Sequence, residues 1–333
     1  MKISPIVISS RIRLARNFDG LPFPVRLTDE DQAVGITKAI FEIYGEDYEF
    51  RQLKNLTSSQ CLMLLEKRIV SKELIGNKDI ASYALSQDHE ISIMINEEDH
   101  IREQCIMKGL CLKECYEKIT KVDDKLLSSV DIAFSKQYGF LTCCPTNVGT
   151  GMRASVMMFL PALTISGAMQ KIIETANAQK LTIRGLFGEG SDADGYFYQI
   201  ANKTTLGQSE EEIINLVVDF VKKVINMEEN ARKTLINLNQ SVIMDMCLRA
   251  YGVLTHCYSI STTECISLLS KLRFGICTGL IKTKNINIDE MYYLIQPAHI
   301  ENYYEIELSP KERDIFRAKY IGELLNNKLI KGE

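Results

Sequence analysis

The sequence has no block of lysine and arginine, no apolar segment of membrane-spanning length, no Cys-x-x-Cys pair and no Gly-Lys-Ser/Thr signature. Each absence excludes something. With 39 basic against 43 acidic residues, a formal charge of −4 and no basic cluster, the chain advertises neither a nucleic-acid surface nor an anionic-membrane surface. Any basic function must be local. The N-terminal stretch MKISPIVISSRIRLAR holds an apolar run too short for a signal peptide, with arginines on the wrong side of it, which predicts a cytoplasmic protein. The ten cysteines are scattered through apolar patterns. They read as buried small hydrophobes rather than as metal ligands or a disulfide framework. The absence of a Walker lysine and of the HRD and DFG triplets excludes two common routes to ATP chemistry.

What remains is globular: 333 residues, 46% of them hydrophobic, suffice for one large domain or for one large and one small. The stretch Leu141 to Ser155, LTCCPTNVGTGMRAS, organises the rest. Its apolar start stops at Pro145, which has no amide hydrogen to give a sheet. Thr146, Asn147, Gly149, Thr150 and Gly151 then supply small polar groups and backbone freedom, so that amides can face an anion, with Arg153 just behind. An ordinary strand-to-helix turn fits the same residues.

Upstream, an extended Ser9 to Asn17 places Arg11 and Arg13 on one face about 7 Å apart, while Ile12 and Leu14 face a core. Two parallel guanidinium forks suit phosphate oxygens; surface salt bridges are the alternative. Ile91, Ile93 and Ile95 alternate with Ser92 and Met94 as a half-buried strand that empties into Glu97-Glu98-Asp99-His100-Ile101-Arg102. Acids and a base meet there, although in isolation three acidic residues read first as a solvated helix start, with Arg102 paired to Glu98. Gly188 to Gly195 is a glycine-rich acidic loop, suited to a flap that closes Glu189 or Asp192 over a cation.

The alternations predict an α+β fold over residues 1–230, mainly antiparallel sheet flanked by helices. A smaller helical domain occupies residues 231–333, with capping boxes at Ser261/Glu264 and Ser309/Glu312 and Pro310 at a first helical position. In its last helix Arg313 and Arg317 share a face at i and i+4 and offer a second anion site; pairing with Glu312 or Asp314 is the competing reading. Arginines from several strand ends with carboxylates from two loops suit phosphoryl transfer from a polyphosphate to a basic acceptor. In such chemistry magnesium bridges phosphate oxygens and positioning supplies most of the catalysis.

SSRIRLARN, INEEDHIR, CPTNVGTGMRAS and RGLFGEGSDADG, in that order, resemble the phosphagen (guanidino) kinase family over residues 9 to about 207. The resemblance extends through the helical C-terminal region, where RDIFRA (Arg313 to Ala318) is similar to a motif of the family members that phosphorylate arginine in proteins. It implies ATP and Mg2+, with Arg11, Arg13, Arg102, Arg153 and Arg184 on the phosphates and Ser10 and Asn147 in the same nucleotide motifs. It also implies that Glu98 orients the acceptor guanidinium and takes its proton, that Glu189 or Asp192 is a second carboxylate, and that Cys144 lies near the guanidinium. Arg313, Asp314, Arg317 and Ala318 would read phosphoarginine as an allosteric signal. Phe187 stands where relatives acting on small guanidino compounds carry an arginine, which weakens the case for Arg184. Protein substrates with exposed arginines, an activator protein, a Clp-type protease and a homo-oligomer are the implied partners. A kinase for free arginine and a phosphoarginine-binding adaptor are the alternatives.

Overall fold

The computed structural model describes residues 6–27, 30–185, 194–284, 286–326 and 329–330. The chain runs β1 (Val7–Arg16), α1 (Glu30–Tyr44), β2 (Tyr48–Gln52), α2 (Ser58–Glu66), α3 (Lys72–Gly76), β3 (Ser82–Ser86), β4 (Ile91–Ile95), β5 (Ile101–Lys108) and α4 (Leu112–Leu127). It continues with β6 (Phe134–Ser135), β7 (Gly139–Phe140), β8 (Met152–Phe159), α5 (Pro161–Ile165), α6 (Met169–Ala178), β9 (Leu181–Gly185) and β10 (Phe197–Asn202). Helices α7 (Glu210–His256), α8 (Thr262–Cys277), α9 (Ile288–Leu294), α10 (Pro297–Tyr304) and α11 (Pro310–Leu325) complete it, with a short ladder between β11 (Lys282–Thr283) and β12 (Leu329–Ile330).

Among the described residues the main sheet has eight strands in the order β2-β3-β4-β5-β1-β8-β10-β9, and the pairs from β2 through β1 are antiparallel. Side chains alternate across a strand, so register decides what shares a face. Ile12 and Leu14 lie opposite Cys105 and Glu103 and face α4, which packs on β1 and β5. The other face carries Arg11 and Arg13, then Gln104 and Arg102, then Ser92 and Met94. Helices α2 and α3 cover its far side, where Cys61, Leu74, Tyr83, Leu85 and Met94 form one apolar cluster.

The chain divides into two compact units. One comprises Met1–Met157, Ala176–Ile183 and Ile200–Lys222; the other comprises Met158–Thr175, Arg184–Gln199 and Lys223–Glu333. The second is organised by buried charge. Glu228 accepts from the Ala162 and Leu163 amides at the start of α5 (3.1 and 3.0 Å) and pairs with Arg232 (2.7 Å), while the Arg273 guanidinium lies 4.2 Å from the Phe159 ring centre. Each buried charge thereby keeps a partner, as burial demands.

Candidate active site

Period-two alternation puts Ile12 and Leu14 in the core and leaves Arg11 and Arg13 partly exposed on the opposite face of β1. Arg13 lies across from Gln104, and Ala15 from Arg102, so Arg102 shares that face. The Ala15 amide donates to the Gly151 carbonyl (3.0 Å), which brings the start of β8, and with it Arg153, alongside β1. Burial, then the neighbouring Arg153, lowers Arg13 to about 10 against the pull of Glu97, Glu73 and Glu98. Arg11 is lowered by burial and then by Arg13 and Arg68, with Arg153 adding to it, while Glu97 opposes. Solvent contact combined with protein on most sides describes a recess. Like charges gathered there are costly until an anion arrives, and the Arg11 Nε is buried with no hydrogen-bond partner among the described residues.

Glu97 to His100 form the β4–β5 turn, not a helix start. Asn96 takes a left-handed φ of +59°, its amide donates to the His100 carbonyl (2.9 Å), and the Glu97 amide donates to the Asp99 carbonyl (3.1 Å). Glu97 is buried, accepts from the Ser71 hydroxyl and forms an ion pair with Arg102. Arg102 therefore pairs with Glu97, not Glu98. The Glu98 side chain is exposed, and its carboxyl is raised by desolvation, Asp99 and Glu73, with Arg13 opposing. A carboxylate made more basic beside a guanidinium recess is suited to taking a proton. His100 accepts from the Phe18 amide at Nδ1 (3.2 Å), so its Nε2 carries the proton and donates to the Pro22 carbonyl (2.9 Å).

The Leu141 to Gly151 loop leads into strand β8, not into a helix. Gly151 has φ +64°, and a Cβ there would lie 2.6 Å from the Arg16 guanidinium and 2.7 Å from the Ala15 carbonyl oxygen, so only glycine fits. Arg16, paired with Asp123 (2.7 Å), donates to the Thr150 carbonyl (3.0 Å) and stacks 3.6 Å over Phe140. The Cys144 thiol contacts the Thr146 hydroxyl (3.0 Å), and Asn147 is partly exposed in the short 3-10 turn Pro145–Asn147. Cys143 is the cysteine that meets the acids: its amide donates to Asp99 (2.7 Å), and burial, then Asp99 and Glu98, push its thiol up. Ser10 is buried and structural in its contacts, donating to the Gly109 carbonyl (2.8 Å) and accepting from the Cys111 amide (2.9 Å).

Three further residues join the recess. Arg68 holds a left-handed φ of +59°, its carbonyl clamped by the Gln104 amide (2.7 Å), and its side chain is exposed beside Arg11. Glu73, on α3, faces Arg13 and Glu98; Glu97 anchors Arg102. Arg68 and Glu73 sit around a short helix with no alternation to mark them, so only the tertiary packing of α2 and α3 brings them in. Arg184 is exposed near the end of β9, in the second compact unit. Glu189 and Asp192 lie outside the described residues, as does Phe187.

In α11 the capping box forms as the sequence indicates, with the Ser309 amide donating to Glu312 (2.8 Å). The two arginines there diverge. Arg317 is buried, 1% exposed, and donates to the Ile295 and Ile260 carbonyls (2.7 and 2.9 Å) and to Asp314 (2.5 Å). Arg313 keeps partial exposure and a looser pair with Glu301 (3.4 Å), while the Asp314 carbonyl accepts from the Ile260 amide (3.1 Å) and Ala318 is buried.

Comparison with known proteins gives the family. Residues 34–231 match the family described as ATP:guanido phosphotransferase, C-terminal catalytic domain, and residues 240–331 match the protein-arginine kinase McsB C-terminal domain. The chain is 40% identical to a protein-arginine kinase of Caldanaerobacter subterraneus over 97% of its own length and 98% of that protein's. It is 43% identical to one of Bacillus licheniformis, covering 97% of this chain and 90% of that one. The crystal structure of a lombricine kinase superposes with a TM-score of 0.59 at 27% identity, over 68% of this chain and 67% of that one. A duplicated taurocyamine kinase from Schistosoma mansoni, with bound transition-state analogue components, gives 0.60 at 26% identity over 68% of this chain and 33% of that one. The chain has the fold of the guanidino phosphotransferases and is one of them. It belongs to the ATP:guanido phosphotransferase family, on the branch of the protein-arginine kinases.

Proposed function

We propose that this protein transfers the γ-phosphate of ATP to the guanidinium of arginine side chains in other proteins. The observation that carries this is the shared sheet face: Arg11, Arg13 and Arg153 crowd a recess whose rim bears Glu98, an exposed carboxylate with a raised pKa. Arg11, Arg13, Arg68 and Arg153 hold the triphosphate, and Glu97 aims Arg102 at it. Arg184 and Asn147 stay in this reading on their motifs alone, as do Glu189, or alternatively Asp192, as the second carboxylate on the acceptor. Cys144 borders the acceptor guanidinium in the same reading.

An arginine guanidinium is protonated at any physiological pH and its nitrogen lone pair is delocalised. Glu98 aligns it and takes a proton as the N–P bond forms; the Pγ–O bond breaks and ADP leaves with the electron pair. Among the described residues no group of three or more His, Cys, Asp or Glu is placed to hold a metal ion. Magnesium bound with ATP would supply further neutralisation of the phosphate charge that Arg11, Arg13, Arg68 and Arg153 hold. Among the described residues no helix is long and apolar enough to cross a membrane. Cytoplasmic substrates, delivery of the marked proteins to a Clp-type protease, an activator protein, and a homo-oligomer that senses phosphoarginine through Arg313 belong to the same reading.

Glu98→Gln tests it. Turnover should fall by roughly 10²- to 10⁴-fold, the usual worth of a general base, with ATP affinity kept. Near-normal turnover rejects the role of Glu98.

A further inference from the structure

Asn17 ends the SSRIRLARN stretch, is 1% exposed and joins three segments that are distant in sequence. Its side-chain amide donates to Asp99 Oδ1 (2.7 Å) and to the Leu141 carbonyl (3.0 Å), and its Oδ1 accepts from the His100 amide (2.9 Å). Asp99, 3% exposed, uses the same Oδ1 to accept from the Cys143 amide (2.7 Å). The turn that carries Glu98 and the loop that carries Cys143 and Cys144 are therefore held together by one asparagine and one carboxylate.

We infer that Asn17 and Asp99 form a positioning clasp for the acceptor side of the site, fixing Glu98 against the Cys143–Cys144 segment. The inference rests on Glu98 acting as the acceptor's base. Three observations support it. The hydrogen bonds are 2.7–3.0 Å long and buried or partly buried, so they define one geometry for two segments that carry no regular backbone ladder between them. Asn17 uses both its donor and its acceptor capacity inside the clasp, so substitution strands buried partners. Asp99 also adds charge: it is adjacent to Glu98 in sequence and raises the Glu98 carboxyl, as does Glu73 from α3, while Arg13 from β1 opposes them and the Cys143 thiol faces both acids from the loop. Burial raises Asp99 itself, whereas the Asn17 and Cys143 hydrogen bonds favour its charged form. A clasp built this way sets the position of the base and its basicity together.

Two variants separate these effects. Asp99→Asn keeps the shape and the accepting oxygen but removes the charge; Asn17→Ala removes the three hydrogen bonds of the asparagine and leaves only Asp99 to Cys143. For each, turnover on a protein substrate is measured against pH at saturating magnesium-ATP, with KM for ATP and thermal stability alongside and Glu98→Gln as reference. Losing the Asp99 charge lowers the Glu98 pKa, so in Asp99→Asn the acidic limb should move to lower pH and turnover should fall ~10-fold, as a weaker base requires. In Asn17→Ala turnover should fall by ~100-fold, the scale of an ångström-sized misplacement, with KM for ATP changed less than about twofold. An unmoved acidic limb in Asp99→Asn overturns the inference, as does an Asn17→Ala protein whose ATP affinity and melting temperature fall in step with its turnover. If Glu98→Gln is inactive while Asp99→Asn matches the parent, only the clasp fails. If Glu98→Gln is active, the assignment of the base fails first.

Discussion

One guanidinium nitrogen of Arg102 meets both carboxylate oxygens of Glu97, inside a turn where Glu97 is almost wholly buried and also accepts from Ser71. The pair fixes a cation on the sheet face that Arg11 and Arg13 share, on a strand that would otherwise leave it free to swing. Glu97→Ala should cost about 3–5 kcal/mol of stability, the usual effect of stranding one member of a buried pair. It should also raise KM for ATP by ~10-fold, because Arg102 loses its aim. Urea unfolding and steady-state kinetics measure the two effects, and a KM equal to the parent's contradicts the aiming role.

On the opposite face of the same sheet, Glu103 is fully buried, accepts from the Tyr44 hydroxyl (2.7 Å), and is pushed up to about 8 by desolvation and then by Asp123. Between the ordinary carboxyl value of 4.5 and about 8 the folded protein holds a proton that the unfolded chain releases. Stability from this group is full below that window and is lost as pH rises through it. Glu103→Gln should remove that part of the pH dependence, so the gap between unfolding midpoints at about pH 4 and about pH 9, on either side of the window, narrows. An unchanged gap contradicts a protonated Glu103.

The two α11 arginines should separate cleanly. Arg317→Ala strands the Ile295 and Ile260 carbonyls and Asp314, and should destabilise the second compact unit by about 3 kcal/mol or more. Arg313→Ala loses only a partly exposed pair with Glu301 and should change stability by about 1 kcal/mol or less. If Arg313 reads phosphoarginine, calorimetry should show weakened binding of phosphoarginine with ATP binding retained; unchanged phosphoarginine binding removes Arg313 from that role.

Much of the site is legible in the sequence because strands obey a period of two. Ile12 and Leu14 alone assign Arg11 and Arg13 to one face, and the isoleucines of β4 point to Glu98 at its end. The Ser309/Glu312 capping box is legible for a similar reason, since it is a local hydrogen-bond pattern at fixed spacing. Partners across strands are not local. Spacing alone sets Arg102 one helical turn from Glu98, but the β4–β5 ladder puts it opposite Met94 and its side chain pairs with Glu97 in the turn. Pro145 and the glycines beyond it announce a turn but not the type of the next element, which is a strand buried on both faces. Spacing of i and i+4 likewise puts Arg313 and Arg317 on one face without telling that Arg317 is walled in. Arg68 and Glu73 carry no periodic signal at all.

In the proposed reaction a recess of arginines holds ATP while carboxylates present a protein's arginine to its terminal phosphorus. Incubating the protein with magnesium-ATP and, in parallel, with an unfolded protein or with free arginine measures this directly. Acid-labile phosphate on arginine residues of the unfolded protein, lost in Glu98→Gln, is the expected result. Phosphate on free arginine alone, or on neither acceptor, would contradict it.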